Sequence, residues 1–204
     1  MTTAATPLLS RRHRVTVRDY HRMAEVGILS AQDRVELIEG EIIDITPIGP
    51  RHAAVVDRLA ARLVKALPAG YLVRIQNPLT LGESSEPQPD LAIVADRSYA
   101  TAHPGGGDTH LVIEVADATV AYDRDVKLPL YAQSLIPEVW IVNLPAGQLE
   151  VFRDPAEDGY RQSFVPAPEE FVSPIRVPGI AMRPGEVFGA GITGPAGMGP
   201  GREG

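Results

Sequence analysis

The 204-residue sequence has no cysteine, which excludes a disulfide framework, a thiolate metal site and a thiol nucleophile. No uninterrupted apolar run approaches the roughly 18 residues needed to span a bilayer. The opening MTTAATPLLS lacks the basic-then-apolar layout of a secretory leader, so a cytoplasmic location with no membrane partner is expected. Positive charge is in deficit: 19 Lys and Arg stand against 26 Asp and Glu, a formal net charge of −7. The molecule as a whole should therefore repel a polyanion, and any nucleic-acid contact would depend on a local basic patch. Lysine is the scarcer of the two cations. Only Lys65 and Lys127 occur, every other basic residue being arginine, a bias that GC-rich coding also produces.

What remains is ordinary globular composition, 44% hydrophobic and 22% charged, in a length suited to one core. Residues 1–14 read as a flexible arm ending in Arg11-Arg12-His13-Arg14, residues 15–188 as one domain, and residues 189–204 as a glycine-rich tail with little to bury. Thr16 and Asp19 suit the two ends of a capping box for a short helix that Gly27 stops. Val35 to Ile45 predicts a hairpin turning at Glu39-Gly40. Val55, Val56, Leu59, Leu63, Val64 and Leu67 form a stripe at helical spacing, with Arg58 and Arg62 largely off it. Strands are expected at 71–75, 91–94, 111–115 and 139–142, with a closing antiparallel pair over 149–152 and 160–164. A helix carrying Leu128, Tyr131, Ala132 and Leu135 on its inner face lies between 123 and 135. Pro129 argues for a regular start near Lys127 or Leu128. This order predicts an α/β fold, a mixed sheet with flanking helices.

Glu114 is the charge that most needs an explanation. It interrupts Leu111-Val112-Ile113-Glu114-Val115, a strand otherwise patterned for burial, and an unpaired charge there is too costly. It must be paired, bound to a cation or displayed at an opening of the sheet. Asp90 begins the preceding apolar strand, and the two carboxylates together would offer hard oxygen ligands for Mg²⁺ or Mn²⁺. The alternative is that Asp90 caps a turn while Glu114 pairs with an arginine. Lys127 either reaches back to stabilise charge on a phosphate or is a solvated surface lysine. Asp117, Asp123 and Asp125 are open between ligand, ion-pair partner and helix-start carboxylate. Glu36 can approach the same edge, whereas Glu39 reads as a turn residue. His52 suits a phosphate contact, a proton carrier or a plain helix-start position. His103 and His110 lack an i+4 partner, so zinc is not expected. Gly105-Gly106-Gly107 lacks the features of a phosphate loop and reads as a flexible crossing. No Gly-x-Ser-x-Gly elbow occurs.

Several segments in a shared order resemble the Uma2-like restriction-endonuclease family (DUF820) of the PD-(D/E)XK nuclease superfamily. They are Val35 to Glu41, Pro50-Arg51-His52, Pro89-Asp90-Leu91-Ala92-Ile93-Val94, Leu111 to Val115, Tyr122 to Lys127 with Tyr131-Ala132, and Ile136 to Val142. The resemblance implies a restriction-endonuclease-like core and a Mg²⁺- or Mn²⁺-dependent endonuclease acting on DNA. It places Asp90 and Glu114 as metal ligands, Glu36 as a further acidic ligand and Lys127 as the site lysine. The superfamily's usual lysine position, two after the second acid, is Ala116 here, and Lys127 would serve from the following helix. Asn143 stands where the family usually has Asp. His52, Arg58, Arg62 and the 11–14 arm become candidate contacts to the substrate backbone. A homodimer is a further expectation, and a catalytically inactive nucleic-acid or protein-binding module is the competing one.

Overall fold

In a computed structural model of the chain, residues 13–30 and 32–188 are described. The expected tail at 189–204 and all of the expected arm except His13 and Arg14 lie outside the described residues.

Six strands, β3 (Tyr71–Ile75), β4 (Leu91–Ala95), β5 (Thr109–Ala116), β6 (Glu138–Asn143), β7 (Gln148–Ala156) and β8 (Gly159–Phe164), form one sheet in sequence order. Every pairing is antiparallel except β5 with β6. That one parallel pair follows from its connection, because residues 117–137 carry a helical crossover while the other links simply fold the chain back. A separate two-stranded sheet pairs β1 (Val35–Ile38) with β2 (Glu41–Asp44). Its turn has Glu39 and Gly40 both at positive φ, 48° and 79°, the geometry that matches strand twist in a two-residue hairpin.

Alternation along β4 divides the core into two layers. Leu91 and Ile93 pack with Ile113, Trp140 and the helix α2 (Pro50–Ala66), whose inner face is Val55, Val56, Leu59, Ala60 and Leu63. Ala92 and Val94 face the other way, onto Val112, Ile141, Leu130 and Tyr131. The central strand β5 is covered on both sides and buried along its length except at His110. Val64 departs from the expected stripe and is 61% exposed, because Ala60 completes the inner face in its place.

The first helix α1 (Val17–Glu25) has the expected capping box, Thr16 Oγ1 accepting from the Asp19 amide while Asp19 accepts in return. It buries no residue of its own. The regular helix of the crossover starts at Leu128, as Pro129 suggests, with a wider helical lead-in before it. The crossover runs from α3 (Val120–Tyr122) through a widened π turn at Asp123–Lys127 into α4 (Leu128–Gln133). The Leu128 amide reaches back five residues to the Asp123 carbonyl, so the turn is wide enough to accept the proline ring that a tight α turn would exclude. Leu135 is not on the inner face. It sits at φ 59° just past the helix end and is 71% exposed, while the Ile136 amide donates to the Tyr131 carbonyl and Ile136 is buried. This is a Schellman stop with leucine where glycine is usual.

Gly105 to Gly107 are also more constrained than a flexible crossing. Gly106 opens a short 3₁₀ turn, Gly106–Asp108, and lies so close to the end of α4 that a Cβ there would meet the Ser134 carbonyl oxygen at 2.0 Å.

Candidate active site

The β4–β5 register pairs Leu91 with Ile113, which sets Asp90, the residue before β4, beside Glu114. The Asp90 amide donates to Glu114 Oε2 at 3.4 Å, and the Val115 amide donates to Asp90 Oδ2 at 2.8 Å. Both acids line a cleft of about 480 Å³ at this end of the sheet, together with Glu36, His52, Asp123 and Lys127.

Glu36 comes from β1, every residue of which is buried. Its carboxylate accepts from the Gln88 amide at 3.0 Å and the Tyr122 hydroxyl at 3.1 Å. Lys127 closes the π turn and points inward, its Nζ 3.3 Å from both Glu36 and Glu114. The surface-lysine reading therefore fails, since the Lys127 side chain is only 8% exposed. Asp123, at the other end of the same turn, is buried and accepts from Thr119 Oγ1 at 2.8 Å. Asp117 lies nearer solvent, 3.8 Å from Arg51, and Asp125 is exposed.

The electrostatics follow from four carboxylates around one ammonium. Burial pushes Glu114 up to about 8 against the opposing pull of Lys127, and Asp123 and Asp90 add to the rise. Burial likewise raises Asp123. Lys127 loses some preference for charge through burial, but Glu114, Glu36, Asp123 and Asp90 more than restore it and hold it protonated. The cleft thus favours an added positive charge, whether proton or cation. Asp90 and Glu114 are neighbours in it.

His52, in the first turn of α2, places Nε2 2.9 Å from Asp90 Oδ2. Burial lowers its pKa, yet the Asp90 hydrogen bond and charge outweigh this and leave it raised. Its Nδ1 is buried without a protein partner. Arg58 and Arg62 are not at the cleft. Arg58 donates to the Val187 carbonyl and Arg62 pairs with Glu186 at 3.1 Å, so both are tied to α5 (Pro184–Phe188). A substrate at the cleft does not meet them there.

The strand reading missed two further groups. Tyr131, read only as a core residue, donates its hydroxyl to Glu114 Oε1. Glu86 in the connection before β4 is 3% exposed and meets His21 at 2.8 Å. With His103 these form a His/Glu/His cluster that can coordinate a metal ion, with one donor atom from each lying within 4.8 Å of the others. The expectation against such a site rested on i+4 spacing, a test that only detects ligands sharing one helix. Here α1, the 80s connection and the 103 loop each supply one.

Fold and cleft together define a mixed α/β sheet with helices on its faces, of restriction-endonuclease-like architecture. Residues 17–184 match the Uma2 family, described as "Putative restriction endonuclease", and the chain belongs to that family. A similar solved structure is that of a "putative nuclease belonging to DUF820" from Anabaena variabilis ATCC 29413. It aligns with TM-score 0.70 and 14% identity over 85% of this chain and 97% of that one, a likeness of fold. No curated protein matches.

Proposed function

We propose that the protein is a Mg²⁺- or Mn²⁺-dependent endonuclease that hydrolyses phosphodiester bonds in DNA at the Asp90–Glu114 cleft. The observation that carries this reading is the junction of Glu36, Asp90 and Glu114 with a single buried lysine, supported by the family to which the chain belongs. Asp90 and Glu114 would hold the ion, with Glu36 or a neighbouring acid such as Asp123 the candidate for a second. When bound, it would supply Lewis-acid activation of water and charge neutralisation at phosphorus.

The side chains divide the rest of the work. Lys127, kept charged by its neighbours, orients the attacking water and offsets negative charge gathering on the phosphoryl oxygens. Glu36 and Tyr131 fix the groups around that ammonium. His52, aligned by Asp90, is placed to contact a phosphate or carry a proton. Self-association through the β8 edge belongs to the same reading and is checked by sedimentation.

The direct test is cleavage of plasmid and single-stranded DNA with Mg²⁺ or Mn²⁺, using Asp90→Asn, Glu114→Gln and Lys127→Met proteins whose folding is verified by circular dichroism. A fall of roughly 10²–10³-fold is expected for each. Activity that survives all three substitutions overturns the assignment. A second reading, an inactive binding module, is favoured by the ion pairs through which Lys127 already occupies Glu36 and Glu114. It predicts DNA binding that needs no divalent ion and no cleavage by the intact protein.

A further inference from the structure

We infer that His21, Glu86 and His103 form a second metal site, separate from the acidic cleft, that takes a borderline transition ion such as Zn²⁺ and clamps α1 to the body of the protein.

The donor chemistry separates the two sites. Two imidazole nitrogens and one carboxylate suit Zn²⁺ and its neighbours, whereas an all-oxygen set suits Mg²⁺ or Mn²⁺. Among the described residues, this is the one group of three or more such donors that lie within 4.8 Å of one another. Bonds of roughly 2.0–2.1 Å put tetrahedral donors about 3.3 Å apart. His21 Nε2 already lies 2.8 and 3.0 Å from the two Glu86 oxygens, and the His103 ring sits edge-on to that of His21.

The support around the cluster is also that of a ligand set. Glu86 is buried and accepts from Thr80 Oγ1 at 3.0 Å, an outer contact that fixes the carboxylate's orientation. Its own amide donates to the Leu37 carbonyl, so the backbone at Glu86 is anchored to β1. His21 is 48% exposed on its side chain, which leaves an approach from solvent and room for a fourth ligand.

The clamp role follows from what α1 lacks. With no buried residue, the helix is held by contacts such as Val17 to the Glu83 carbonyl, the Tyr20 hydroxyl to the Val35 carbonyl, and His21 to Glu86. An ion shared by α1, the 80s connection and the 103 loop would join three segments distant in sequence.

The test loads chelator-stripped full-length protein with Zn²⁺ alone and reads stoichiometry by elemental analysis, affinity by calorimetry and α1 protection by hydrogen exchange. One ion per chain and slower exchange across 17–25 are expected. His21→Ala and His103→Ala should each weaken binding by more than the roughly 10–100-fold expected for the orienting variant Thr80→Val, while circular dichroism verifies that each variant folds. Asp90→Asn with Glu114→Gln should leave Zn²⁺ binding intact, which separates this site from the cleft whether or not the protein cuts DNA. Co²⁺ substituted for Zn²⁺ should give the absorption of a tetrahedral nitrogen–oxygen site and lose it in His103→Ala. Unchanged Zn²⁺ affinity in both histidine variants, or loss of binding in the cleft variant, overturns the proposal.

Discussion

Glu114 carries the clearest pH signature of any single residue. Its carboxyl is pushed by burial from the ordinary 4.5 to about 8, so between those values the folded protein holds a proton that the unfolded chain has released. Folding is then favoured at the acid end of this window, and stability falls as pH rises through it, by at most about 1.4 kcal/mol per pH unit from this group. Melting temperatures of metal-free protein should decline from pH 5 to pH 8, and Glu114→Gln should flatten the decline. Mg²⁺ should raise the melting temperature more at pH 8 than at pH 6, because at pH 6 it competes with the bound proton. A second residue-scale expectation concerns Asn143, the last residue of β6. Its Nδ2 donates to Glu150 Oε1 at 2.8 Å, and Arg124 from the π turn forks onto the same carboxylate. Asn143→Asp replaces that donor with a like charge in a buried position, so a loss of about 1–3 kcal/mol is expected in chemical denaturation. An unchanged midpoint would show that Arg124 neutralises both acids.

Among the elements, the crossover between β5 and β6 does most to set the site, and it is also where the sequence was hardest to read. The apolar spacing of α2 and the alternation of β4 to β7 are visible along the chain because each reports one buried face. The π turn leaves no such mark. Pro129 marks where the regular helix starts, and the widened turn upstream of it carries the ion pairs of Lys127 with Glu36 and Glu114. Leu135 and Val64 were misplaced for a related reason: apolar residues at the ends of a periodic run need not share its face. Gly106 gave a similarly ambiguous signal, since a glycine run looks the same whether it is loose or pressed against a neighbour. The structure decides for close approach, and Gly106→Ala should destabilise by about 1–3 kcal/mol as the backbone shifts away from Ser134. For a chain of this size that is a fall of several degrees in melting temperature. A mutant as stable as the parent would indicate that the 3₁₀ turn moves freely.

Taken whole, the molecule brings net negative charge to a proposed polyanionic substrate. The two arginines singled out on α2 are tied to α5, which leaves Arg34, His52 and Lys127 in the cleft lining and bound divalent ions as the sources of attraction there. DNA affinity of the uncut complex, measured by anisotropy with Lys127→Met protein, should be at least tenfold weaker in chelator than in Mg²⁺ and should fall steeply with added salt. Equal affinity in both buffers would place the binding surface elsewhere. The Asp90–Glu114 junction was one of two open readings until the β4–β5 register set the two acids side by side, whereas the strands and the mixed α/β class were legible in the sequence because alternation reports each strand's buried face. The His21–Glu86–His103 cluster was not, because three loops or helix positions meet only through the tertiary fold.

The groups around the cleft come from β1, the lead into β4, β5 and the π turn, in that order along the chain. A ribosome releases them one after another, and Lys127 emerges last. Glu36 and Glu114 gain their shared cation only once that turn has docked, and the turn itself leans on Glu150 of β7 through Arg124. A copy of the chain ending before β7 therefore lacks the carboxylate that anchors the turn carrying Lys127.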